Sequence, residues 1–266
     1  LRAARGADVI RIDLPEPGDR ASILAAYEAA LDANPHVRLL LVTHVNNLTG
    51  LIHPVAEINA MARARGVDVI VDAAHAVGQV PFDYQAAGCD FVGANLHKWI
   101  GAPLGCGVIR IRRSRIDDID NFLGEPGDPA DINTKAHTGA INFALFLTIP
   151  AALDMHEAMG GAEAKFARLR RLRDLWVSQA HEIDGVEILT PDEAGSVGAM
   201  TSFRLAGRTS ATENDRIAQR LLEEHGVFTV RRSGPSRGDC IRMTPNFWNT
   251  PEDVERLVPA LRALAG

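Results

Sequence analysis

The chain has 266 residues, of which 46% are hydrophobic and 23% charged, and its formal net charge at pH 7 is -6. Such a chain buries a core, as one large or two smaller domains, and is neither disordered nor collagen-like. The acidic balance argues against nucleic acid as a general partner, and no run reaches the roughly 18 apolar residues of a membrane helix.

The cysteines, Cys89, Cys106 and Cys240, are three and widely spaced, with no CxxC pair. This pattern suits neither a disulfide framework nor a zinc site, so no metal is implied and a reducing cytoplasm is the expected compartment. Lysines occur only at positions 98, 135 and 165. Chemistry that needs a lysine amine therefore has three candidates.

The chain opens on Leu, in mid-pattern. LRAARG reads as a helix end stopped by Gly6, and ADVIRIDL as a strand. With no initiator Met and no signal peptide, residue 1 is expected to lie inside a longer protein. ASILAAYEAAL has helical spacing. VRLLLVTHV is a continuous apolar run, the mark of a strand buried on both faces. HPVAEINAMARARG predicts a helix between Pro54 and Gly66. VDVIVDAAH, CDFVGANLH and GCGVIRIRR follow as strands. This alternation predicts an α/β fold with a mostly parallel sheet and helices on both faces.

Residues 113–139 form a polar loop rich in Gly, Pro and Asp. A long helical stretch runs from about Ile149 to His181, broken at Gly160-Gly161. Its basic run KFARLRRLRDLW is expected to be a solvated face. GVEILTP, AMTSFRLAG, VFTVRR and CIRMTP predict strands, and NDRIAQRLLEEHG and TPEDVERLVPALRAL helices. Thr250 has the position of an N-cap, followed by Pro251, Glu252 and Asp253. The expected division is a large domain over 1–148 and a smaller α+β domain over 149–266.

Asn47, Asp72 and Lys98 each sit at or just beyond the end of a predicted strand, 25 and 26 residues apart. Ligands of open α/β sheets bind outside the carboxyl ends of the strands, so sequence order brings an amide, a carboxylate and an amine to one edge. Taken alone, Asp72 reads as readily as a structural residue, a helix cap or a buried ion pair, as it does as a functional carboxylate. Lys98, in the largely apolar setting of His97 and Trp99, has the surroundings of a Schiff-base nucleophile. A lysine for an aldehyde and a carboxylate for a pyridinium nitrogen are what pyridoxal phosphate requires.

The stretch VDAAHAVGQVPFDYQAAGCDFVGANLHKWIGAPLGCGVIRIRR strongly resembles the class V aminotransferases. These are fold-type I pyridoxal-phosphate enzymes, and they include cysteine desulfurases and isopenicillin N epimerases. The LHKW and GAPLG wording is nearest the isopenicillin N epimerase-like branch. The resemblance implies pyridoxal 5'-phosphate as cofactor, held by a Schiff base to Lys98, which also moves the Cα proton. It implies that Asp72 keeps the ring nitrogen protonated and that His75 contacts the phenolic oxygen. Asn95 and His97 would reach the phosphate, and Asn47 the phenolic oxygen or the substrate carboxylate. Arg242, in CIRMTPNFWNTPEDVERL, matches the arginine that binds the substrate carboxylate. Arg231 and Arg232 are left open, a second acidic group on the substrate being one partner for them. A homodimer is implied as well.

The sequence also departs from the family. In TGAINFALFLTIPAAL, Ala140 stands at the family's phosphate-binding threonine, with Thr138 as its substitute. Cys240 lies two residues before Arg242 inside a strand, where it is expected to pack rather than act as a desulfurase nucleophile. Family chains begin earlier, so the front of the fold is expected either to precede residue 1 in a longer protein or to be absent from a true fragment. Epimerisation, transamination and C–S cleavage share one first step, so C–S lyase or desulfurase chemistry is the alternative, and a non-catalytic scaffold a further one. GAPLGCG joins two strands and opens no helix, so it is not a dinucleotide fingerprint.

Overall fold

The computed structural model describes residues 6–136, 139 and 142–266. The first helix among the described residues, α1 (Arg20–Ala33), starts at Asp19, whose side chain accepts from the Ser22 N–H, and it buries Ile23, Tyr27 and Leu31. That spacing of four places one apolar stripe against the sheet. The chain continues through β1 (Leu39–Thr43), α2 (Val55–Ala64), β2 (Asp68–Asp72), β3 (Phe91–Asn95), the short α3 (Leu96–Trp99) and β4 (Gly107–Ile111). The strands lie in the order β1-β2-β3-β4. The first three are parallel, and β4 runs antiparallel to β3. Val42, Val69 and Val71 face a core that includes Ile23, Tyr27, Ile58 and Ala62 of α1 and α2.

The connecting helices are α4 (Phe143–Leu147), α5 (Ile149–Ala158) and α6 (Gly161–Ala180). A second, antiparallel sheet combines β5 (Val186–Ile188), β6 (Thr201–Leu205), β7 (Val230–Arg232) and β8 (Cys240–Met243) in the order β5-β6-β8-β7. The helices α7 (Ala211–His225), α8 (Pro251–Glu255) and α9 (Leu257–Ala265) complete the chain. Trp176, Phe203, Leu221, Ile241 and Leu257 form its second core. Leu169 of α6 belongs to the first core and Leu172 to the second, so one helix joins them. Thr250 caps α8 with a full capping box. Among the described residues, no helix is long and apolar enough to cross a membrane.

Three local expectations change. Residues 7–14 form no strand; Ile12 and Leu14 pack on the first core instead. A side-chain pattern cannot supply the ladder partner that makes a strand. Leu39 and Leu41 of β1, expected to be buried on both faces, are 55% and 66% exposed, because only the opposite face of this edge strand meets α1 and α2. The basic run of α6 is not a uniformly solvated face. Lys165 is buried, its ammonium donating to the Trp99 carbonyl 66 residues away, and Arg173 is buried against Asp192 at 2.5 Å.

Two buried histidines flank the end of β1. His44 hydrogen-bonds the Tyr84 hydroxyl at 2.8 Å through Nδ1, and His53 packs its ring edge-on to Tyr27. Burial lowers both to about 4, against an ordinary value near 6.5. Between those values the unfolded chain binds protons that the folded chain refuses. Stability is therefore full above about pH 6.5 and declines toward pH 4, by on the order of 1–2 kcal/mol per histidine at pH 5. Thermal unfolding midpoints measured from pH 7 to 4.5 are expected to fall, and His53→Leu to flatten that fall. An identical slope in the variant would remove His53 from the account.

Candidate active site

The site lies at the carboxyl edge of the first sheet, where the second sheet meets it. Asp72 is the last residue of β2. Its Oδ1 accepts from the Ala74 N–H at 2.9 Å, a local turn that fixes the carboxylate at the strand end. Beside it in register is Gly93 of β3, where an added Cβ would meet nothing within 4 Å. Among the described residues, nothing fills the space next to the carboxylate.

β3 runs directly into α3. Leu96 and Trp99, three residues apart on one helical face, are buried. That anchoring leaves His97 and Lys98 on the other side, half-buried. Gly101, with φ of 96°, ends the turn in a conformation that suits glycine. Burial pushes the Lys98 ammonium below its ordinary range; Asp72 opposes the shift and Arg242 adds to it. The amine, the carboxylate and the guanidinium thus lie within electrostatic reach of one another.

His75 sits in the turn after β2. Its ring meets Trp99 edge-on at 6.4 Å, and its Nδ1 is buried without a hydrogen-bond partner among the described residues. Burial lowers this imidazole to about 3, with Lys98, Arg242, Arg232 and His97 contributing in the same direction. It is neutral at physiological pH.

Arg242 arrives on β8. Its Nη1 donates to the Asn47 carbonyl at 2.5 Å, and its Nε is buried without a partner among the described residues. Burial, and then Arg232, lowers it to about 10. The loop after β1 is clamped at further points to the second sheet and to the segment leading into β6. Ser202 Oγ donates to the Leu48 carbonyl at 2.6 Å, and the Ile52 N–H donates to Ser196 at 2.9 Å.

The structure therefore brings Asp72, His75, Lys98 and Arg242 together, with His97 close enough to act on His75. The backbone carbonyl of Asn47 holds Arg242, which places Asn47 at the same site. Asn95 heads α3 and is half-buried. His97 Nδ1 lies 3.4 Å from the Cys106 carbonyl. Thr138 and Ala140 lie outside the described residues. Cys240 is buried, and burial pushes its thiol up to about 11, consistent with packing. Cys89 and Cys106 are buried too.

The sequence reading missed Gln79. Fully buried, it donates to the His75 carbonyl at 2.5 Å and accepts from the Ala199 N–H at 2.9 Å, so it ties the His75 turn to the segment leading into β6. Its one visible signal is a lone amide in the apolar run HAVGQVP.

The aminotransferase class-V family model matches residues 1–257. Over the whole chain, the sequence is 33% identical to an isopenicillin N epimerase of Streptomyces clavuligerus, covering 70% of that protein. It is 28% identical to a putative L-cysteine desulfhydrase of Oryza sativa subsp. japonica, over 98% of this chain and 60% of that one. Among solved structures, the cysteine desulfurase CsdA of Escherichia coli superposes with a TM-score of 0.79 at 22% identity, covering 99% of this chain and 67% of that one. The cystine C-S lyase C-DES superposes at 0.76 and 24%, covering 90% and 64%. At such identity the superpositions speak for the fold, which is that of fold-type I enzymes. The chain spans about 60–70% of the length of these relatives. By the match along its length and the 33% identity, the chain belongs to the aminotransferase class-V family of pyridoxal-phosphate-dependent enzymes.

Proposed function

We propose that this chain carries the site of a pyridoxal-phosphate-dependent enzyme acting at the Cα of an amino acid, in the manner of the isopenicillin N epimerase-like branch. The observation that supports it is the convergence of the Lys98 amine, the Asp72 carboxylate and the Arg242 guanidinium on one sheet edge. The residues fit the cofactor. His75 has an unpartnered buried nitrogen, and Gly93 leaves room beside Asp72.

Bound pyridoxal phosphate supplies an aldehyde carbon for an amine and an electron-withdrawing pyridinium ring. Lys98, with its ammonium form disfavoured by burial, presents more free amine near neutrality than an exposed lysine does. The same Nζ can take a proton from a substrate Cα held next to it. Asp72, fixed by the Ala74 N–H, keeps a proton on a ring nitrogen placed opposite it. His75, neutral, offers its Nδ1 to an oxygen without adding charge. Arg242, steadied by the Asn47 carbonyl, holds the substrate α-carboxylate. Family resemblance assigns Asn95, His97 and Thr138 to the phosphate and implies a homodimer, while the cysteine pattern supports a reducing cytoplasm as the compartment.

Purified protein mixed with pyridoxal phosphate is expected to develop an absorbance band near the visible edge. Lys98→Ala should lack it, and borohydride should fix the label on Lys98. A band of equal strength in Lys98→Ala overturns the assignment. No band in the full-length protein leaves the scaffold reading.

C–S cleavage is the second reading, favoured by the relatives named as cysteine desulfhydrases and desulfurases. The buried Cys240 thiol supports a lyase rather than a desulfurase that uses this cysteine. Sulfide release from L-cysteine, set against loss of optical activity in other amino acids, separates the two.

A further inference from the structure

Arg242 has a neighbour of its own charge. In the antiparallel pair of β7 and β8, Val230 stands opposite Arg242 and Arg232 opposite Cys240. Residues two apart share a face of the sheet, so Arg232 and Arg242 lie on one face as diagonal neighbours. Such pairs stand about 7–8 Å apart, within reach of long side chains. Both guanidinium groups act on the His75 ring, and Arg232 acts on Arg242.

Arg231, on the opposite face, is neutralised by Asp215 at 2.6 Å and Asp239 at 2.7 Å. Arg232 and Arg242 differ from it. Among the described residues, no carboxylate pairs with either, and the Nε of each is buried without a partner. Two like charges with desolvated donors are costly unless an anion meets them. A single substrate α-carboxylate on Arg242 leaves the Arg232 fork open.

We propose that Arg232 forms a second anion subsite, and that the amino-acid substrate carries a second acidic group on its side chain. This deepens the reading of the site given above and rests on it. The α-carboxylate sits on Arg242 and the side-chain acid on Arg232. Arg231 takes no part, because its two aspartates already satisfy it.

Two measurements test the proposal. In protein free of cofactor, glutarate is expected to raise the thermal unfolding midpoint more than butyrate at equal concentration, because only the dianion meets both guanidinium groups. Equal shifts from the two acids overturn the proposal, and this comparison needs no variant. In cofactor-loaded protein, spectral titration gives the affinities for L-α-aminoadipate and L-norleucine. Arg232→Met is expected to cut the ratio between them about tenfold or more, and Arg232→Lys to restore part of it. An unchanged ratio, with both affinities falling together, overturns the proposal. Loss of the Lys98-dependent band alone sinks the cofactor reading, whereas the glutarate shift reads the subsite independently.

Discussion

Asp72→Asn is expected to slow exchange of the substrate Cα proton by about 10²–10³-fold, the usual cost of removing one preorganised electrostatic group. The amide keeps an oxygen for the Ala74 N–H, now 2.9 Å from Oδ1, so the turn survives and only the charge is lost. That charge has two roles in the site. It faces the proposed ring nitrogen, and it partly offsets the burial that lowers Lys98. Without it, burial and Arg242 act on Lys98 unopposed, and the ammonium loses its proton at lower pH than in the wild type. The cofactor band should then form at lower pH, while proton exchange, followed by deuterium incorporation in NMR, slows. An unchanged pH profile together with exchange within twofold of wild type would falsify the placement of Asp72.

Gly50→Ala is expected to cost about 3–5 kcal/mol, a large share of the stability of an ordinary domain. The φ of Gly50 is 85°, and a Cβ there would stand 2.1 Å from the Met200 carbonyl oxygen. Both objects are backbone, so neither gives way cheaply. Gly66 is the internal control. Its φ is 69°, but nothing lies within 4 Å of an added Cβ. Gly66→Ala should therefore cost only about 1 kcal/mol. Urea unfolding of the two variants measures the difference, and equal losses would mean that the Met200 contact does not limit the loop. The site depends on this contact as well. The same loop presents the Asn47 carbonyl to Arg242, so a displaced loop should weaken substrate binding before it abolishes cofactor binding.

Much of this arrangement is legible in the sequence. The apolar runs ending at Thr43, Asp72 and Asn95 mark three parallel strands, and chain order alone brings their ends to one edge. Asp72 and Lys98 stand out because a carboxylate and an amine close such runs, where an apolar residue would be cheaper. Thr250 is legible for the same local reason, as a cap needs only its own first turn. The exposure of Leu39, the burial of Lys165 and the role of Gln79 are not legible. Each depends on what packs against the residue from far along the chain, and periodicity carries no such information.

The sequence by itself determined the alternation of strands and helices, the edge that holds Asp72 and Lys98, and the family, because spacing and local propensity act over short stretches of chain. Only the tertiary structure decided that, among the described residues, Arg231 is neutralised while Arg232 is not, and that the Asn47 carbonyl accepts from Arg242. It also decided that His75 Nδ1 has no partner among the described residues. These outcomes follow from contacts between residues up to 195 positions apart. Whether a buried charge finds a partner there depends on distance in space, which a one-dimensional pattern does not record.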